Sequence, residues 1–361
     1  MRKTNKTMTT IDKNKPILVT GGTGYLASWI VKQLLDNGYH VNTTVRNKSD
    51  QIKYRHLLDI ASKSKGQLSI YEADLLLNHS FQEAMNGCEL VIHTASPFKI
   101  SGIKNADKEL IQPALQGTRN VLFSANDSKS VKRVVLTSSI VAMAGDAIDV
   151  TKLNNGVLNE QSWNTTSSAD HQAYPYSKTM AEKEAWTIAR KQNRWDLVVI
   201  NPGFILGPSL SQRTDSTSID MMIQLLSGKF RTGVPEGDQA VVDVRDVAQA
   251  HILAGLTASA SGRHLTAAHQ KDFLAISNVI GQQYPNYRLP KKYVPKWLFK
   301  LLGPIMGFSR KFVKLNVGYD FVFDNSYIKE DLKISFTPFE KTINDHFNQL
   351  VDDELIPDLR S

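Results

Sequence analysis

The apolar run Pro16 to Thr20 passes directly into Gly21-Gly22-Thr23-Gly24-Tyr25-Leu26-Ala27, and Tyr25 to Asn37 then carries a helical period closed by Gly38. A buried strand, a glycine-rich turn and a helix in immediate succession leave few folds open. In the spacing Gly-x-x-Gly-x-x-Ala, the first glycine permits a tight turn. The second lets backbone approach a ligand closely, and the small third residue lets helix and strand pack. The helix turns its N-terminal amides and its dipole toward whatever lies over the turn, which favours a phosphate. Gly21, Thr23, Gly24, Tyr25 and Leu26 are therefore expected to hold the pyrophosphate of a dinucleotide.

The alternation continues. His40–Arg46, Gln67–Tyr71, Leu90–Thr94, Val131–Thr137 and Leu197–Asn201 read as strands, and Leu110–Asn126 and Pro175–Gln192 as helices. Apolar strands alternating with helices predict a parallel sheet covered on both faces. The second half is less regular. Helices are predicted over Asp215–Ser227, Val244–Thr257, Lys271–Gln283 and Phe339–Val351, punctuated by prolines. The expected fold is α/β: a Rossmann-type doubly wound parallel sheet with a smaller, mixed C-terminal substrate lobe. Residues 1–14 read as a flexible basic tail and 15–202 as the dinucleotide-binding Rossmann domain. Residues 203–361 read as the substrate-binding lobe, with Rossmann elements returning at about 239–266. In open parallel sheets ligands bind beyond the carboxyl ends of the strands, so those ends should carry the site.

Composition narrows the function classes. The formal net charge of +8 reads as a solvated surface plus a basic N-terminal tail, so no nucleic-acid partner is expected. One cysteine, Cys88, excludes an intrachain disulfide. No stretch reaches the ~18 consecutive apolar residues of a membrane span. The nearest, Val294 to Phe308, is interrupted by Lys296, Lys300 and Gly303-Pro304. It reads as a helix packed in the smaller lobe, without stable membrane insertion, and a cytoplasmic location is expected. There is no Gly-x-Ser-x-Gly elbow and no His/Cys cluster with zinc spacing, so neither that class of hydrolase nor a metal site is expected.

Strand ends supply the chemistry. His40–Arg46 closes on Arg46, where a carboxylate would select the free ribose hydroxyls of NAD. A planar guanidinium instead suits a 2′-phosphate, and Lys53 offers a second cation, so NADP(H) is expected. Asp74-Leu75 is positioned to meet the adenine. The small Thr94-Ala95-Ser96 would let the cofactor lie against backbone. Val131–Thr137 ends in Thr137-Ser138-Ser139, with Thr137 beside the cofactor. Tyr174 and Lys178 lie four apart at a helix start and share a face, with Pro175 suited to the first helical position. Tyr176 lacks that spacing. Hydride transfer to a carbonyl leaves an oxygen that needs a proton. A phenol has an ordinary pKa of ~10, and a neighbouring ammonium should lower it. Tyr174 is thus the expected proton donor and Lys178 its modulator. Ser139, preferred over Ser138, is expected to hold the substrate oxygen.

With these residues in place, the chain resembles the extended short-chain dehydrogenases/reductases of the NAD-dependent epimerase/dehydratase superfamily. Within them it is similar to the dihydroflavonol 4-reductase and cinnamoyl-CoA reductase group. The resemblance rests on Val19 to Ala27, Arg46, Thr137-Ser138-Ser139 and Tyr174-Pro175-Tyr176-Ser177-Lys178. It also rests on Asn201-Pro202-Gly203 with Gly207-Pro208, and on Val242 to Ala248. It implies that Asn201, Pro202 and Gly203 lie beside the nicotinamide, that Arg46 and Lys53 contact the 2′-phosphate, and that Asp243 to Ala248 form structure near the active site. It also implies an NADPH-dependent reduction of a small-molecule aldehyde or ketone, and allows a homodimer through helices flanking the sheet. Where plant dihydroflavonol reductases carry Asn or Asp five residues after the catalytic serine, this chain has Ala144. A more apolar pocket is expected, lined by Phe98, Ile140, Met143 and Phe204. A nucleotide-sugar epimerase or dehydratase with bound NAD, a hydroxysteroid dehydrogenase and a cofactor-binding sensor remain open as other readings.

Overall fold

In a computed structural model of the chain, residues 8–96 and 105–360 are described, the side chains of residues 305 and 306 excepted. Seven parallel strands form the main sheet: β1 (Ile17–Thr20), β2 (His40–Val45), β3 (Gln67–Glu72), β4 (Leu90–His93), β5 (Arg133–Thr137), β6 (Asp196–Pro202) and, after a long excursion, β9 (Gly262–Thr266). Their spatial order is β3-β2-β1-β4-β5-β6-β9. The pleat sends alternate side chains to opposite faces. Ile17 and Val19 join the core under the helices Tyr25–Asp36 and Val244–Leu256, while Leu18 joins the core on the other face. Val135, Val198 and Ile200 follow the first pair, and Val134, Leu136 and Val199 the second. The helices Gln112–Asp127 and Ala173–Ala189 pack against each other on that second side. The strands read as continuous apolar runs because both faces are covered.

The smaller lobe is built on a three-stranded sheet, β10-β8-β7. Its strands are β7 (Phe204–Leu206), β8 (Gln239–Asp243) and β10 (His269–Lys271), with β7 parallel and β10 antiparallel to β8. One residue, Gly203, separates β6 in the large sheet from β7 in the small one. A Cβ there would sit 2.1 Å from the Ala240 carbonyl oxygen, so only glycine lets the two strands pass. β8 leads directly into the helix Val244–Leu256, and β9 then returns to the large sheet beside β6. The helix Phe339–Asp352 closes the lobe, its Phe347 stacked on Tyr284 at 4.7 Å between ring centroids.

One buried arginine ties the strands together at the foot of the sheet. Arg133, fully buried at the start of β5, makes a bidentate pair with Asp196 at 2.7 and 2.8 Å. It also donates to the carbonyls of Ala254, Thr257, Ala258 and Ala260. Thr9 bonds Asp196 and Ala258, and Ile11 is buried, so this part of the N-terminal stretch is anchored at the foot of the sheet. Cys88 is buried, which pushes its thiol up to about 12 and keeps it unreactive. Among the described residues, no helix is long and apolar enough to cross a membrane.

Candidate active site

The carboxyl ends of β1, β2, β4, β5 and β6 open into a cleft of ≈ 770 Å³. Gly21 has φ +67°, the left-handed region that side chains avoid, and a Cβ on it would press on Ala95 at 3.0 Å. Gly22, which falls at an unspecified position of the glycine spacing, is equally constrained: its Cβ would lie 2.1 Å from the Thr43 hydroxyl. The turn is pinned by Gly21 N–H donating to Thr44 Oγ1 (2.9 Å) and Gly22 N–H to the Thr44 carbonyl (3.1 Å). Gly24 caps the helix Tyr25–Asp36 without a side-chain bond, leaving the first-turn amides directed at the cleft. These glycines shape a cradle that side chains would fill, and the cleft reaches from it to Arg46, Asp74 and Leu75 on one side and to Pro202 and Gly203 on the other. The residues fit a dinucleotide.

Ser139, Tyr174 and Lys178 line the same cleft. Ser139 lies just past β5 in extended backbone and caps the short 3-10 turn Ile140–Ala142, its hydroxyl accepting from Val141 N–H at 3.3 Å. Ser138 points elsewhere: its hydroxyl donates to the buried Glu182 carboxylate at 2.5 Å. The helix carrying Tyr174 begins at Ala173, earlier than expected, so Pro175 is its third residue and not its first. Gln172 precedes it at φ 59°, a conformation uncommon for a residue with a side chain. Asp146 holds it there, accepting from Gln172 Nε2 (2.9 Å), bonding His171 Nε2 (2.6 Å) and accepting from Asn316 Nδ2 (2.7 Å).

The Lys178 ammonium donates to Ser96 Oγ at 3.2 Å and lies 6.0 Å from the Tyr174 ring centre. Burial lowers Lys178 to about 8, with the Glu182 carboxylate pulling it partly back. Burial raises Tyr174 to about 12. The phenol therefore moves in the opposite direction to the expectation from sequence, because burial disfavours the phenolate. Glu182, one helical turn beyond Lys178, is the hub behind the site. It accepts from Arg263 Nε (2.6 Å), Asn201 Nδ2 (2.8 Å) and Ser138. Arg263 on β9 stacks on Trp163 at 4.0 Å and donates to the carbonyls of Glu160 and Ser162. A cavity of ≈ 20 Å³, the size of one water, lies between Lys178, Glu182, Ser138 and His93. His93 bonds Thr20 Oγ1 at 2.9 Å and is held near 3 by burial and by Lys178.

Most of the expected cofactor residues share the cleft: Gly21, Thr23, Gly24, Tyr25, Leu26, Arg46, Asp74, Leu75, Thr94, Ala95, Ser96, Thr137, Pro202 and Gly203. Three of the expected residues are not among its lining. Lys53 is exposed and paired with Asp50 at 2.9 Å on its own 3-10 turn. Asn201 is buried behind the wall, donating to the Ser139 carbonyl (3.2 Å) and to Glu182. Met143, which ends the 3-10 turn, is buried in one cluster with Ile140, Ala144, Val150 and Leu158. Ile140 and Phe204 do line the cleft, and Phe98 lies outside the described residues. Sequence reasoning missed Gln239, Phe321, Arg213 and the residues Asp215 to Ser218 where a loop enters the helix Thr217–Leu226, all in the lining. Arg213 donates to the Thr23 carbonyl at 2.7 Å and to Asp215 at 2.7 Å, which holds the Asp215 carboxyl below its usual range, with Arg46 adding to the effect. No motif marks that loop. Among the described residues no group of His, Cys, Asp and Glu could hold a metal.

Known proteins share this architecture. A cinnamoyl-CoA reductase of Medicago truncatula is 41% identical over 290 residues, 77% of this chain and 86% of its own. An anthocyanidin reductase of Vitis vinifera is 37% identical over 77% of this chain and 84% of its own. Among solved structures, Candida albicans Gre2 in complex with NADPH superposes with a TM-score of 0.75 at 27% identity, covering 94% of this chain and 99% of that one. Vestitone reductase from alfalfa gives 0.72 at 27% identity, covering 95% and 100%. The family described as "NAD dependent epimerase/dehydratase family" matches residues 17–268. The chain therefore belongs to the NAD dependent epimerase/dehydratase family, among its extended short-chain reductases of the dihydroflavonol and cinnamoyl-CoA reductase type.

Proposed function

We propose that this protein reduces an aldehyde or ketone to an alcohol with NADPH. The observation that carries the reading is that Ser139, Tyr174 and Lys178 line one cleft together with the glycine-rich turn and Arg46. The glycine cradle would hold the pyrophosphate, Arg46 the 2′-phosphate, and Pro202-Gly203 the nicotinamide end. When bound, the cofactor supplies the hydride. The Ser139 hydroxyl donates to the carbonyl oxygen and holds it within reach of Tyr174. The Tyr174 hydroxyl delivers its proton to that oxygen as negative charge develops there. The Lys178 ammonium stabilises the phenolate left behind, which then regains a proton from solvent. A phenol raised by burial remains a proton donor throughout the neutral range, which suits reduction. The named relatives support reductase chemistry and small carbonyl-type substrates. Ile140, Val141, Phe204, Ile205 and Phe321 give the substrate end an apolar wall.

The test is NADPH oxidation against a panel of aldehydes, ketones and α-diketones, with NADH in parallel. Turnover with NADPH that falls about 10²–10⁴-fold in Tyr174→Phe is expected. Absence of turnover with either cofactor, together with NAD released on denaturation, would overturn the reading in favour of an epimerase or dehydratase.

A further inference from the structure

The cations of this chain are not spread evenly. Arg288 to Tyr319 contains eight lysines and arginines and no aspartate or glutamate, while the rest of the chain holds 35 cations against 35 anions. That stretch alone carries a net +8, as much as the formal net charge of the whole chain. That stretch folds as a hairpin of the helix Lys296–Leu302, a 3-10 turn Gly303–Met306 and the helix Arg310–Asn316. Its inner side closes on a separate small core of Phe299, Val313 and Val317.

The outer side is left apolar. Trp297 is 70% exposed, Leu301 58%, Leu302 41% and, just upstream, Tyr293 41%. Trp297 and Leu301 lie four apart and share a helix face. Exposed Lys296, Lys300, Lys311 and Lys314 accompany them on the same hairpin, with exposed Lys292 just upstream.

We propose that this face docks the protein on an anionic lipid surface. Tryptophan and leucine suit the boundary between headgroups and acyl chains, and lysines suit negatively charged headgroups. Lysine stems lie along apolar surface while their ammonium groups stay in water. A second copy of the chain does not fit, because a two-fold contact would bring like charges together. A nucleic acid would engage the lysines but leave Trp297, Leu301 and Leu302 unpartnered. The hairpin that carries the face is tied to the site. Asn316, the last residue of the hairpin's second helix, bonds Asp146, which holds Gln172 ahead of Tyr174, and Phe321 lines the cleft.

The experiment is co-sedimentation of the full chain with vesicles of phosphatidylcholine alone and of phosphatidylcholine with about 30% phosphatidylserine. Binding to the anionic vesicles only is expected, weakening as salt rises from about 0.1 to 0.5 M. A Lys296→Gln/Lys300→Gln pair should lower partition about 25-fold, at about fivefold per charge. Trp297→Ser/Leu301→Ser should lower it at least about tenfold by removing inserted apolar surface. Both variants change exposed side chains, so unchanged thermal unfolding midpoints confirm intact folding. No binding, equal binding to both vesicle types, or anionic binding that survives Trp297→Ser/Leu301→Ser would overturn the proposal. The last result, with matching salt-sensitive capture on heparin, would identify an acidic macromolecule as the partner.

Discussion

Replacing Lys178 with methionine should make the folded protein more stable at neutral pH while removing its activity. The argument starts from the burial that lowers Lys178 from its ordinary 10.5 to about 8. Below pH 8 the side chain must fold as a buried ammonium. The shift corresponds to about 3 kcal/mol of lost stability, at ~1.4 kcal/mol per pH unit, an upper value because the ammonium faces the cleft. Methionine keeps the length of the side chain but forgoes the bond to Ser96, worth about 1 kcal/mol. The net gain at pH 7 is about 2 kcal/mol. The sign of the pH dependence follows from proton counting. Between pH 8 and 10.5 the unfolded chain binds the proton that the folded chain has released, so wild-type stability rises with pH in that window and the cost fades. The advantage of Lys178→Met should therefore shrink by about 2 kcal/mol between pH 7 and 9.5. Urea unfolding of the cofactor-free protein at several pH values measures it, kept below pH 10, where tyrosine ionisation enters. A variant less stable than wild type at pH 7, or an advantage that does not change with pH, would refute the reasoning.

Other perturbations test neighbouring parts of the structure. Burial holds His93 near 3, His251 near 4 and His346 near 3, so each folds neutral. Unfolded histidines bind protons below about pH 6.5, so stability should fall with acid at up to ~4 kcal/mol per pH unit between pH 6 and 4. Urea midpoints across that range check the slope. Glu182→Gln leaves the buried Arg263 charge without its partner and should cost about 3–5 kcal/mol. Losing the exposed Lys32–Asp36 pair should cost under about 1 kcal/mol in the same denaturation assay. Arg46→Ala should raise the KM for NADPH about 10- to 100-fold by removing charge-assisted bonds to a 2′-phosphate, with the KM for NADH nearly unchanged.

The half of the fold that carries the glycine turn was legible because buried parallel strands announce themselves as apolar runs. The short strands β7, β8 and β10 offer three to five residues each, too few for a period to emerge. At the site, residues at strand ends were readable because topology alone puts strand ends at the cleft. Side chains that arrive from elsewhere were not: Arg213, Gln239 and Phe321 belong to segments with no pattern of their own. Met143 and Ile140 look equivalent in the sequence and share one buried cluster, yet only Ile140, at the start of the 3-10 turn, also reaches the cleft. Arg133 and Arg263 are buried, and nothing local in the sequence marks them, because their partners Asp196 and Glu182 lie 63 and 81 residues away. The direction of the Tyr174 shift needed the same knowledge of burial, which a spacing of four residues does not contain.

The single-residue joint at Gly203 has a mechanical consequence. A clamshell enzyme opens by rotating two rigid halves about a flexible linker, and such a linker needs slack. Here the chain passes between the large and small sheets through one glycine packed against Ala240, then through β8 running without a gap into a helix that lies on the large sheet, then back again at β9. Each crossing is short, which leaves little slack between the two sheets. At the rim of the cleft the lobe is fastened differently, by Arg213 donating to the Thr23 carbonyl, a hydrogen bond that can break without moving any strand.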